Sequence, residues 1–203
     1  MSQDLSALTD RMLLAARKAG AESADAMAVD GTSVSIDVLG GKLEHAERSE
    51  GVDIGLRVMI GQKQAVVSSS LFDDATLDTM AERAVAMATE APEDPYIGLA
   101  DTSQLAASWD VDALELFDPT PEPKASELED DAKRAEAAAL SFDGISQVQS
   151  ASAGYGQRRI HLATSNGFSG GYDRTDRGIS CVAIAGNGAG MERDYDGDSR
   201  IFQ

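Results

Sequence analysis

At 203 residues and 21.3 kDa, with 42% hydrophobic and only 5% aromatic residues, the chain has material for one large or two small domains with alanine-lined helices. It carries 17 basic against 35 acidic residues, a formal net charge of −18, divided evenly as 8 against 17 in residues 1–100 and 9 against 18 in residues 101–203. Nucleic-acid phosphate needs clustered Lys and Arg, so this balance argues against direct DNA binding and for a highly soluble protein or an acidic face for a basic partner.

Leu5, Leu8, Met12, Ala15, Ala16 and Ala19 recur at helical spacing, Ser2 or Asp4 can cap the start, and Gly20 is placed to end it. From Ser23 the period changes to that of a strand. Ala24, Ala26 and Ala28 alternate, Asp30-Gly31 is a type I′ turn signal, and Val34, Ile36 and Val38 alternate again, which predicts a hairpin interrupted by Gly40-Gly41. Lys42 to Glu50 reads as a polar continuation into the strand around which the domain is organised. There Val52, Ile54, Leu56, Val58 and Ile60 make one apolar face, Gly61-Gln62 suits a II′ turn, and Lys63 to Ser69 returns. Gly55 predicts a bulge or a closely packed neighbour. Asp73 then caps a helix with Leu77, Met80, Ala81, Ala84, Met87 and Ala88 on one stripe, ending before Pro92.

All five prolines lie in Pro92 to Pro123, and Asp101 to Asp131 holds ten acidic residues and one Lys. Leu105, Trp109, Leu114, Leu116 and Phe117 are too apolar for free coil, so this connector is expected to pack. Ser126 to Glu129 reads as a capping box, with Leu128, Ala132, Ala135, Ala139 and Phe142 as the stripe of a third helix running to Gly144. Short strands are expected over 148–156, 158–164, 168–174 and 179–185, with turns at Gly154-Tyr155-Gly156, Asn166-Gly167 and Asn187-Gly188. The predicted class is α+β, with antiparallel hairpins packed on helices in two consecutive αβ units. Residues 1–100 form the first domain, 101–123 an acidic connector, and 124–203 a helix with a β-meander expected to continue past residue 203.

Candidate chemistry is sparse. His45 and His161 fall in predicted strands, and neither has a second His or Cys at zinc spacing. Cys181 cannot form an internal disulfide, and its flank Val182, Ala183, Ile184 predicts a buried thiol in a reducing compartment. Ser68-Ser69-Ser70 has no nearby base, and Gly186 to Gly190 lacks the Lys-Ser/Thr of a phosphate loop. Asp194, Asp196 and Asp198 with Gly197 resemble a calcium loop, but the glycine stands at position four instead of six. No catalytic, cofactor or metal residue is therefore assigned. Met1 to Leu5 lacks a leader pattern and no apolar run reaches the ~20 residues of a membrane span, so the expected location is the cytoplasm.

Asp94-Pro-Tyr-Ile-Gly-Leu-Ala-Asp101, Leu114-Glu-Leu-Phe-Asp-Pro119, the segment from Gly170-Gly171-Tyr172 to Ser180-Cys181-Val182, and Met191-Glu-Arg-Asp-Tyr195 resemble the PmbA (TldE) branch of the TldD/PmbA family, once called modulators of DNA gyrase. The resemblance runs over nearly the whole chain and implies a two-component cytosolic metalloprotease for peptide maturation or degradation. It further implies that a TldD-like partner bears the zinc, while a chain of this branch completes the peptide cleft and is inactive alone. A homodimer is compatible with it. The alternative reading is a free-standing acidic domain that occupies a basic partner surface.

Overall fold

A computed structural model describes residues 4–202. The elements, in order, are α1 (Leu5–Ala19), β1 (Ser23–Leu39), β2 (Lys42–Ile60), β3 (Lys63–Ser69), α2 (Asp74–Glu90), α3 (Ala125–Leu140), β4 (Ile145–Thr164), β5 (Ser169–Ala185) and β6 (Glu192–Arg200), with single turns of 3-10 helix at 102–104, 112–114 and 188–190. The fold is α+β, and the six strands are ordered β3-β2-β1-β4-β5-β6. The β2–β3 and β5–β6 pairs are antiparallel. Side-chain bonds Ser165 to Ala24 and Ser152 to Asp37 run in opposite senses along β4 and β1, so that pair is antiparallel too.

Two compact units divide the residues. The first comprises 1–30, 51–111 and 158–173, the second 31–50, 112–157 and 174–203. In the first, the apolar faces of α1 and α2 close over Ala24, Ala26 and Ala28 of β1 and Ile54, Leu56 and Val58 of β2. The alternation read from the sequence is therefore the burial pattern. Asp4 caps α1 through the Ala7 amide, Gly20 ends it in the left-handed region, and Asp73 caps α2 through Thr76. Ser2 lies outside the described residues. Gly61 has φ of 56° and opens the β2–β3 turn, as expected. Gly55 stands in a regular register with open space about it, so neither a bulge nor a close neighbour accounts for it. Met87 is half exposed and leaves the α2 stripe. The connector does pack here: Trp109 stacks on Phe168 and covers Gly170, where a Cβ would lie 2.3 Å from the indole.

In the second unit Leu128 and Ala132 of α3 meet Val34, Ile36, Val38, Ala153 and Tyr155 of β1 and β4. Several local expectations are corrected. Asp30-Gly31 makes no turn: β1 runs straight through, because Asp30 forms a cross-strand ion pair with Arg159, and the turn is Gly40-Gly41, with φ of 61° and 71°. Gly154-Tyr155-Gly156 makes no turn either. It lies inside the 20-residue β4, where a Cβ on Gly154 would come within 3.3 Å of the Val34 carbonyl, so the glycine admits a close backbone. Likewise, the two strands expected over 168–185 are one, β5. The capping position of α3 is Lys124, two residues before the expected Ser126, with the Lys124 amide bonded to the Glu127 carboxylate, and the helix stops at Leu140, leaving Phe142 outside and exposed.

Candidate functional site

A helix is about 10 Å across and strands lie about 4.8 Å apart, so one helix covers about two strands. In the second unit α3 covers β1 and β4 and meets β5 at Arg177, which pairs with Asp131, while from Ile179 onward the same face of β5 and β6 is left open. The register sets Ile179 opposite Asp198, Cys181 opposite Asp196, and Ala183 opposite Asp194, placing all six side chains on that face. A cleft of about 580 Å³ results. Ala135, Ala138, Ala139 and Phe142 form its helix wall, Ile179, Cys181 and Ala183 its apolar floor, and the three aspartates its outer rim.

The rim is also the end of the sheet, because β6 is the last strand and every residue from Glu192 to Arg200 is exposed. The Tyr195 amide donates to Asp194 Oδ1 and the Gly197 amide to Asp196 Oδ1, both at 2.9 Å, while Arg200 Nε donates to Asp198 Oδ2 at 2.8 Å. Carboxylates on an edge strand blunt its tendency to pair with other chains. Three aspartates alternating along an extended strand do not wrap an ion as a calcium loop does.

Cys181 is half buried in the floor, and burial, reinforced by the negative charge of Glu136, pushes its thiol above the ordinary 9.0. A thiol held protonated at neutral pH is neither a good nucleophile nor a good metal ligand. His45 lies on the exposed part of β2 with Nε2 3.6 Å from the Glu47 carboxylate. His161 belongs to the first unit, where its Nδ1 is 2.9 Å from the Thr9 hydroxyl. Since that hydroxyl already donates to the Ser6 carbonyl, it accepts from the ring, and Nε2 is left facing Ser169 Oγ at 3.4 Å. Ser69 bonds the Leu71 backbone. Among the described residues no group of three His, Cys, Asp or Glu stands close enough to hold a metal ion.

The cleft itself escaped sequence reading. Ala135, Ala139 and Phe142 read as one core stripe, and only the coverage of two strands by one helix shows that they border open space.

Two family models match in chain order: the PmbA/TldA metallopeptidase domain 1 over residues 24–88 and the PmbA/TldA metallopeptidase central domain over residues 118–203. The chain is similar to "Metalloprotease PmbA" of Escherichia coli O157:H7, 30% identical over 167 residues covering 81% of this chain and 36% of that protein. It is also 31% identical to "Metalloprotease PmbA homolog" of Haemophilus influenzae over 185 residues, 89% of this chain and 40% of the relative. It thus spans about two fifths of the length of these curated relatives. Among solved structures, a Bacteroides thetaiotaomicron protein described as a candidate modulator of DNA gyrase superposes with a TM-score of 0.82 at 20% identity, over 97% of this chain and 45% of that one. TldE of Thermococcus kodakarensis superposes with a TM-score of 0.71 at 12% identity, over 96% and 43%. With both sequence domains in order and the same fold behind them, the chain belongs to the PmbA/TldE-type metallopeptidase family and holds its first and central domains.

Proposed function

We propose that this chain is the non-zinc-bearing side of a two-component cytosolic peptidase that matures or degrades peptides, acting as scaffold and as one wall of the peptide cleft. The observation that carries the reading is the ordered match of both metallopeptidase domains. Zinc and the hydrolytic step then belong to a TldD-like partner, and this chain contributes shape, backbone edge and charge. Among the described residues no helix is long and apolar enough to cross a membrane.

Metal analysis and peptide cleavage test the proposal. Residues 1–203 alone should carry no stoichiometric zinc and cleave no peptide. A longer PmbA-like chain containing these domains, mixed with a TldD-like subunit, should hydrolyse peptides and lose that activity to a chelator. One equivalent of zinc on residues 1–203, or cleavage by them unaided, would overturn the proposal and return His45, His161 and Cys181 to consideration as ligands.

A further inference from the structure

We propose that Ser169 is a nucleophile activated by His161, and that it accepts an acyl group from an activated ester, an activity that stands apart from the peptidase assembly. Thr9, His161 and Ser169 come from α1, β4 and β5, all within the first unit. A chain of hydrogen-bonding groups joins them. The Thr9 hydroxyl donates to the Ser6 carbonyl at 2.9 Å and accepts from His161 Nδ1 at 2.9 Å, so Nε2 carries the lone pair and faces Ser169 Oγ at 3.4 Å. Thr9 is fully buried, His161 partly buried and Ser169 exposed, so the chain leads from the interior out to the hydroxyl. The backbone fixes its outer end: the Thr164 amide donates to the Phe168 carbonyl at 2.9 Å, and a Cβ on Gly171 would stand 2.2 Å from the Ile160 carbonyl, so β5 lies tight against β4 beside His161. Hydroxyl, base, and a group that sets the tautomer of the base are what an activated serine requires.

In the step proposed, Ser169 Oγ attacks the ester carbonyl carbon as His161 Nε2 takes the hydroxyl proton. The Oγ–C bond forms, the bond from that carbon to the leaving oxygen breaks, and the ring passes its proton to the leaving group or to water. Ser169 is left as an ester. Thr9 touches no reacting atom and is a positioning residue, holding the ring in the tautomer that leaves Nε2 basic. A cleft of about 470 Å³ lies beside these groups, with Leu13, Leu14 and Ala21 as its apolar wall and Thr164 and Gly167 of the β4–β5 turn opposite. Leu13 stands one turn, about 6 Å, along α1 from Thr9, and Thr164 is bonded to Phe168, the neighbour of Ser169. The cleft therefore suits an acyl group with a short apolar chain.

The test treats residues 1–203 with p-nitrophenyl hexanoate, follows nitrophenolate release, and locates the acyl group by mass spectrometry. One acyl group per chain should appear on Ser169. Ser169→Ala, at an exposed position, should abolish this acylation, and His161→Gln should slow it about 100-fold, the scale of a general base. Thr9→Val should slow it about tenfold, the worth of one hydrogen bond, and Thr9→Ser, which restores the acceptor, should recover the rate. Circular dichroism checks the fold of each variant, and the Ser169→Ala and Thr9→Ser results decide the matter even where His161→Gln does not fold. The hexanoate should react several-fold faster than p-nitrophenyl acetate, and Leu14→Gln should lose most of that preference. Acylation confined to lysines or to the His161 ring, undiminished release from Ser169→Ala, or a Thr9→Ser rate no better than that of Thr9→Val would overturn the proposal. Equal rates for the two esters would overturn the assignment of the cleft. Because no partner subunit is present, none of these outcomes bears on the two-component reading.

Discussion

Glu136 should hold the β1–β2 turn to α3, and its removal is a measurable test of how the second unit is built. The side chain is only 4% exposed, and its two oxygens accept the Gly40 amide at 2.6 Å and the Gly41 amide at 2.7 Å. A hydrogen bond to an ionised acceptor contributes about 1.5–3 kcal/mol, but both glycines are exposed, and deleting the carboxylate also relieves its own desolvation, so we expect Glu136→Ala to cost about 2 kcal/mol in total. For a chain of this size that corresponds to a fall in Tm of roughly 4–8 °C. Glu136→Gln keeps one acceptor and turns an amide N–H against a backbone N–H, so it should recover less than half of the loss. Thermal unfolding followed by circular dichroism reads the magnitude. Hydrogen exchange reads the site, because two glycine amides in an exposed turn should exchange slowly in the wild type and quickly in Glu136→Ala. A Tm within about 1 °C of wild type, or fast exchange of both amides before any substitution, would refute the reasoning.

A net charge of −18 should self-repel, so Tm should be higher in about 0.5 M than in about 0.02 M sodium chloride, concentrations on either side of the ~8 Å screening length; an unchanged or lower value would show that paired charges outweigh the excess. Gly170→Ala should drive Trp109, the only tryptophan, off its seat against Phe168 and shift its emission to the red, whereas an unaltered spectrum would mean that the indole gives way in place. The Cys181 thiol, raised first by burial and then by Glu136, should react with iodoacetamide more slowly in the folded chain than in the urea-unfolded chain at neutral pH, and a faster folded-state reaction would contradict its placement. Because the folded pKa is raised, its contribution to stability is complete below the unfolded value and is lost as pH rises through the folded one. A Cys181→Ser variant should therefore lose less stability than wild type on going from pH 8 to strongly alkaline conditions.

The sequence by itself determined where the three helices lie and which faces are buried in the first unit. Caps at Asp4, Gly20 and Asp73 and the two-residue alternation of Ala24 to Ala28 and Ile54 to Val58 act over a few residues, and the tertiary structure leaves them as read. Turn propensity proved permissive only. Asp30-Gly31 and Gly154-Tyr155-Gly156 could have turned, but whether a backbone reverses depends on the strand beside it, here on the Asp30–Arg159 pair and on the approach of the Val34 carbonyl to Gly154. Only the tertiary structure decided where the second unit stays open. Ala135, Phe142, Ile179 and Asp196 are far apart in the chain, and each has an ordinary local role. The cleft between them exists because α3 packs on β1 and β4 and meets β5 at the Asp131–Arg177 ion pair, leaving the stretch from Ile179 to Ala183 and the facing part of β6 uncovered.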